Sequence, residues 1–188
     1  MRKQNYLHLS EKKDGNAMRM LVNCRHCTKE QLLQVISKNR LDNYLKEKII
    51  QKIETQNNTV YLLTDKGYKQ FGAQLDMQYY RYHSQAISHD IELSQQYLDL
   101  LKSGKQFTWK NEEQLKAERR EEYHKLYEQG KYSEAHRLMI SSCPDAVVSH
   151  DGITYGFDVL TDNYSNQAII EKAEYCELHN IDFQFSRV

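Results

Sequence analysis

Apolar side chains recur at helical spacing early in the chain and alternate with polar ones near its end, so both helices and strands are expected. Met18, Leu21 and Val22 predict a short helix over residues 16–24. Leu32, Leu33, Val35 and Ile36 predict a second, opened by Thr28, whose hydroxyl can cap it while Gln31 reaches back to close a capping box. Leu41, Leu45, Ile49 and Ile53 follow at near-helical spacing and predict a third helix from about residue 40. Two β-prone runs, Ile53-Glu54-Thr55 and Thr59-Val60-Tyr61-Leu62-Leu63, are joined by Gln56, Asn57 and Asn58, a hairpin in which asparagine tolerates positive φ. Thr64 can then cap a further helix.

Beyond Gly72, a long helix over residues 84–102 carries Ile87, Ile91, Leu98 and Leu101 on one stripe, and residues 107–110 predict a short strand. Residues 111–140 predict two charged helices split at Gln129-Gly130, with Leu115, Leu126, Leu138, Met139 and Ile140 as apolar contacts. A β-hairpin about Asp151-Gly152, a helix over 164–178 and a strand over 182–185 complete the pattern.

Composition changes this picture in four ways. Seven Gly and one Pro in 188 residues leave little for the turns of an all-β sandwich, and the length excludes a TIM barrel and most two-domain metabolic enzymes. No apolar run approaches the ~20 residues of a bilayer span and no apolar signal segment follows Met1, so a soluble, cytoplasmic protein with no membrane partner is expected. The formal charge is zero, yet residues 1–75 hold 14 Lys and Arg against 7 Asp and Glu, while the remainder hold 12 against 19. A basic segment beside an acidic one suggests that one part meets a polyanion, and it places a boundary near residue 76. The four cysteines, Cys24, Cys27, Cys143 and Cys176, suit a reducing compartment and are expected as free thiols. Cys24 and Cys27 have chelating spacing, but no second such pair exists, and a turn between helices is expected there.

The order helix, helix, helix, strand, wing, strand, ending in Leu63-Thr64-Asp65-Lys66-Gly67, resembles a winged helix-turn-helix domain over residues 1–75. Such a domain binds DNA with its third helix in the major groove and its wing on the backbone. The residues placed for this are Lys38, Arg40, Asn43, Tyr44, Lys46 and Lys48, with Gln56, Asn57 and Asn58 on the wing. Arg40 and Asn43 have the chemistry to read guanine and adenine edges, and the lysines to hold phosphates. The competing expectation is a solvated helix face in a domain that contacts protein.

Residues 76–188 resemble the core of PD-(D/E)xK nucleases, a small restriction-endonuclease-like α/β domain with a helical insert, so the whole chain is expected to be α+β. Pro144-Asp145 takes the first motif and Asp158 the acidic position of the second. That resemblance implies that Asp145 and Asp158 hold Mg²⁺ or Mn²⁺ to activate water against a phosphodiester. The family's lysine falls at Leu160 here, and Lys172 on the following helix is the substitute, so a degenerate domain without a cofactor is expected. The whole arrangement, with Ser88-His89-Asp90-Ile91-Glu92-Leu93 opening the central helix, resembles the replication-relaxation family of plasmids and mobile elements. His89 is expected to pack or cap rather than catalyse. The family implies a DNA-binding accessory or regulatory protein of replication, mobilisation or DNA topology, with double-stranded DNA, a replication or transfer enzyme and a second copy of itself as partners. The alternatives are a metal-dependent nuclease using Asp145, Asp158 and Lys172, and a dimeric transcriptional repressor.

Overall fold

A computed structural model of the chain describes residues 7–75, 78–83 and 86–188. Among them are eight helices and two sheets, a mixed α+β protein in two compact units, the first ending at Leu101 and the second opening at Lys102.

The first unit opens with α1 (Glu11–Cys24). It starts earlier than its apolar period suggests because Asp14 accepts a hydrogen bond from the Ser10 N–H at 2.7 Å and so ties down the entry turn. After β1 (Cys27–Thr28), α2 (Lys29–Leu33) carries the expected capping box: Gln31 N–H donates to Thr28 Oγ1 at 3.2 Å and Thr28 N–H to Gln31 Oε1 at 2.9 Å. Helix α3 (Lys38–Lys46) is capped by Ser37. It does not reach Ile49 or Ile53, because Lys48 takes φ 55° and turns the chain into β2 (Ile50–Glu54). Strand β3 (Thr59–Leu63) pairs antiparallel with β2, and the sheet order is β1-β3-β2. The connecting turn closes through Thr55 N–H on the Asn58 carbonyl at 2.8 Å, and neither Asn57 nor Asn58 adopts positive φ.

The Leu-Thr-x-x-Gly run is a joint between sheet and helix. Thr64 caps α4 (Asp65–Gln74) through Gly67 N–H at 3.1 Å and donates its own hydroxyl to the Lys48 carbonyl at 2.6 Å. A Cβ on Gly67 would stand 2.1 Å from the Ile49 carbonyl oxygen, which leaves room only for glycine.

Helix α5 (Ile87–Lys102) also belongs to the first unit; its expected start at Ser84 lies outside the described residues. His89, Asp90, Leu93, Ser94, Tyr97 and Leu98 are buried on it. Asp90 meets His26 Nδ1 at 2.7 Å, Ser94 donates to the His26 carbonyl at 2.7 Å, and Gln31 Nε2 donates to the Ile91 carbonyl at 2.9 Å. These buried polar contacts, together with Leu93 and Leu98, fasten α5 to the region around β1. The compact units divide after Leu101, whereas the boundary expected near residue 76 lies outside the described residues. Counted by compact unit, the balance is 15 Lys and Arg against 11 Asp and Glu, then 11 against 15, so the asymmetry keeps its sign but shrinks to +4 and −4.

The second unit is built on a sheet of order β4-β5-β6-β7. Strand β4 (Phe107–Asn111) leads directly into α6 (Glu112–Glu128), capped by Asn111, and α7 (Tyr132–Ile140) folds back after Gly130. Leu115 and Leu138 are buried as expected and Leu126 is half-buried, but Met139 and Ile140 are exposed, contrary to expectation. Strands β5 (Ala146–His150) and β6 (Ile153–Leu160) form a hairpin in which Asp151 and Gly152 take φ 50° and 79°, the left-handed pair that a two-residue turn demands. Helix α8 (Asn166–Leu178) crosses back and β7 (Asp182–Arg187) pairs parallel with β6. Leu115, Cys143, Tyr175 and Cys176 form the core under α8, and all four cysteines are free and buried. No helix among the described residues is long and apolar enough to cross a membrane.

Candidate functional site

Two groups of side chains in separate units stand out. In the first unit, α3 presents Lys38, Asp42 and Lys46 at i, i+4 spacing with Asn39 and Asn43 beside them, all exposed. Lys48 and Asn57 are exposed as well, and Asn58 is half-buried. Asn57 and Asn58 line a polar groove of about 430 Å³ with Lys29, Lys52 and Tyr61. The two lysines of this groove were not among the residues singled out from the sequence, and neither was Asn39. Only their place on one face, unseen in a linear pattern, connects them.

Two expected members of that face are turned inward. Tyr44 is fully buried, and its hydroxyl donates to Asp14 Oδ1. Arg40 grips Asp14 through Nε at 2.6 Å and Nη2 at 2.5 Å, and Nη2 also donates to the His8 carbonyl at 2.8 Å. Burial pushes the Asp14 carboxyl up, but hydrogen bonds from Arg40, Tyr44 and Ser10 outweigh it and hold the group below its ordinary range. Arg40 and Tyr44 therefore clamp α3 to α1 and are withdrawn as base or backbone contacts. A fork of donors that suits guanine suits a buried carboxylate equally well.

In the second unit, Asp145, Asp158 and Lys172 converge. Glycine at position 156 explains how: a Cβ there would lie 2.4 Å from Cys176 Sγ, so α8 lies unusually close to β6 at this point. Asp158 lies two residues along the same face of β6, and Lys172 lies one turn back on the same face of α8. The register that seats Cys176 over Gly156 therefore lowers the Lys172 ammonium onto the Asp158 carboxylate.

The resulting network is closed. Lys172 Nζ donates to Asp158 Oδ1, to Tyr164 Oη at 2.7 Å and to Asp145 Oδ1 at 3.5 Å, which uses all three N–H groups of an ammonium. Asp145 N–H donates to Asp158 Oδ1 at 3.1 Å and Val159 N–H to Asp145 Oδ2 at 2.8 Å. Both carboxylates are 0% exposed and Lys172 is 5% exposed. Within this cluster, Asp158 Oδ2 is buried without a hydrogen-bond partner. Burial, then the charge of Asp145, push the Asp158 carboxyl up to about 7 against the pull of Lys172. Burial alone would lower the Lys172 ammonium, but the two aspartates hold it well above its ordinary range. Glu112, buried at the start of α6, is also raised, by burial first and then, among charges, by Asp145 against Lys116 and Lys172. Its proximity to the cluster carried no sequence signal.

As they stand, these residues do not fit a divalent cation. The Lys172 ammonium already contacts both carboxylates, so a dication would have to displace that buried like charge. No group of three His, Cys, Asp or Glu side chains among the described residues is placed to hold a metal ion. His89 is 1% exposed and contacts Asp90 Oδ1 at 3.2 Å, the packing role expected of it. No protein family, curated protein or solved structure matches this chain.

Proposed function

We propose that this chain is a double-stranded-DNA-binding protein of accessory or regulatory type, whose first unit is a winged helix-turn-helix that docks α3 on DNA, and whose second unit is a nuclease-like scaffold. The order α1-β1-α2-α3-β2-β3 and the β1-β3-β2 sheet support the fold assignment. The observation that carries the function is the exposed stripe of α3: Lys38, Asn39, Asn43 and Lys46 stand in solvent, and no ion pair among the described residues engages either lysine. Lys38 and Lys46 would hold phosphates, Asn43 would read adenine, and Lys48, Asn57 and Asn58 would meet the backbone from the β2–β3 side. The mobile-element setting, with a replication or transfer enzyme as partner, rests on the family resemblance, and contact with that enzyme falls to the second unit.

Gel retardation on short duplexes tests this. Affinity should fall by orders of magnitude as salt rises, since each phosphate contact releases counterions. Lys46→Ala should weaken binding on all sequences, and Asn43→Ala should alter sequence preference. Asp42→Asn should strengthen binding severalfold, because that carboxylate stands among the α3 lysines and repels phosphate. Affinity that ignores both salt and these changes would exclude the α3 face.

Metal-dependent nuclease activity is the second reading, favoured by the convergence of Asp145, Asp158 and Lys172. It requires supercoiled plasmid to be nicked in Mn²⁺, not in EDTA, and not by Asp145→Ala.

A further inference from the structure

We infer that the Asp145–Asp158 pair is a latent divalent-cation site whose permanent counter-cation is the Lys172 ammonium, so that the second unit is complete without metal and takes one up only when that ammonium is removed. The inference concerns the second unit alone and stands apart from DNA binding by the first.

Three observations carry it. The ammonium has no donor left over: Asp158, Asp145 and Tyr164 take all three of its hydrogens, and the Tyr164 ring lies 5.1 Å beneath it. A catalytic lysine needs a hydrogen free for substrate or nucleophile, and this one is spent on its own protein. The site is also sealed, since neither carboxylate reaches solvent. A dication arriving here would have to displace a buried like charge. Finally, Asp158 Oδ2 is a buried acceptor with no partner, the one oxygen that an ammonium with three hydrogens cannot also satisfy. A cation with more than three coordination positions would satisfy it.

Lysine at 172 is thus a covalent stand-in for a metal. Its Nζ is delivered by α8, and it cannot dissociate or be chelated away. The domain keeps the electrostatic balance of a metal centre without the open coordination positions that activate water.

The test uses full-length protein, Lys172→Met, Lys172→Gln and the double variant Lys172→Met with Asp158→Asn. Thermal midpoints are read with EDTA and with millimolar Mn²⁺, and terbium emission is read on excitation of tyrosine, for which Tyr164 is the antenna. The wild type should not shift with Mn²⁺. Each single variant should gain at least ~4 °C and bind Mn²⁺ at least about tenfold more tightly than wild type, and the double variant should lose that gain. A single variant that folds only when Mn²⁺ is added counts as the same gain, because binding the folded state alone drives folding. Terbium emission should appear with Lys172→Met and vanish when Tyr164→Phe is added. Mn²⁺ binding by the wild type overturns the inference, as does absence of any Mn²⁺ effect in both single variants. DNA retardation, measured alongside, should be the same in every variant, so that failure of this inference and failure of the proposed function remain separate results.

Discussion

The contrast between Arg40 and Lys46 is a matter of a few ångströms and one carboxylate. Both lie on α3 and both have the chemistry to meet a phosphate. Arg40 is taken by Asp14, 26 residues away in sequence, which sits on the facing side of α1. Removing one partner of such a pair strands a buried charge, so Arg40→Ala should destabilise the first unit by ~3 kcal/mol, the low end for a broken buried pair because Arg40 is part exposed. Denaturant unfolding measures this, and DNA sequence preference should not change in the folded fraction. Asp14 also sets an acid limit. Its carboxyl is held below the ordinary value of 3.8, so its contribution is present above that pH and is lost as pH falls through its lower value in the folded protein.

At the scale of elements, spacing and caps carried most of the information. Thr28, Thr64 and the Asp151-Gly152 turn act locally, and a residue that caps or turns the chain leaves its mark within four positions. Helix α3 was overextended because Ile49 and Ile53 keep a helical spacing by coincidence, and the Lys48 turn that breaks it has no glycine to announce it. Of the buried cluster, Asp145 and Asp158 were legible as an acid pair, although Asp145 stands just before β5 and only Asp158 lies on a strand, and Lys172 as the available lysine. Its closure was not legible, because it depends on how deeply α8 sinks against β6. Gly156 sets that depth. Gly156→Ala should cost ~1–3 kcal/mol by forcing Cys176 and α8 outward, and Cys176→Ala in the same chain should recover part of the loss by vacating the space. Thermal unfolding of the two single variants and the double variant checks both.

At the scale of the molecule, the exposed polar face of α3 and the buried cluster belong to different compact units, and the helix that looks like a spacer in sequence is an integral part of the first. Charge alone sets α5 apart from the basic unit, since it carries Asp90, Glu92 and Asp99, yet its buried side, with Leu93, Ser94 and Leu98, belongs to that unit. Burial, not charge, decides where a domain ends.

The opposite signs of the two units have a colloidal consequence. A chain with a formal charge of zero and a pI near 7.1 has no long-range repulsion between copies at neutral pH, while the positive unit of one copy is free to attract the negative unit of the next. Light scattering should therefore rise at ~10 mM salt and clear by ~150 mM, as the range of those forces shrinks from ~30 to ~8 Å. A polyanion would compete for the same positive surface. Short duplex DNA should disperse the low-salt clusters as effectively as added salt.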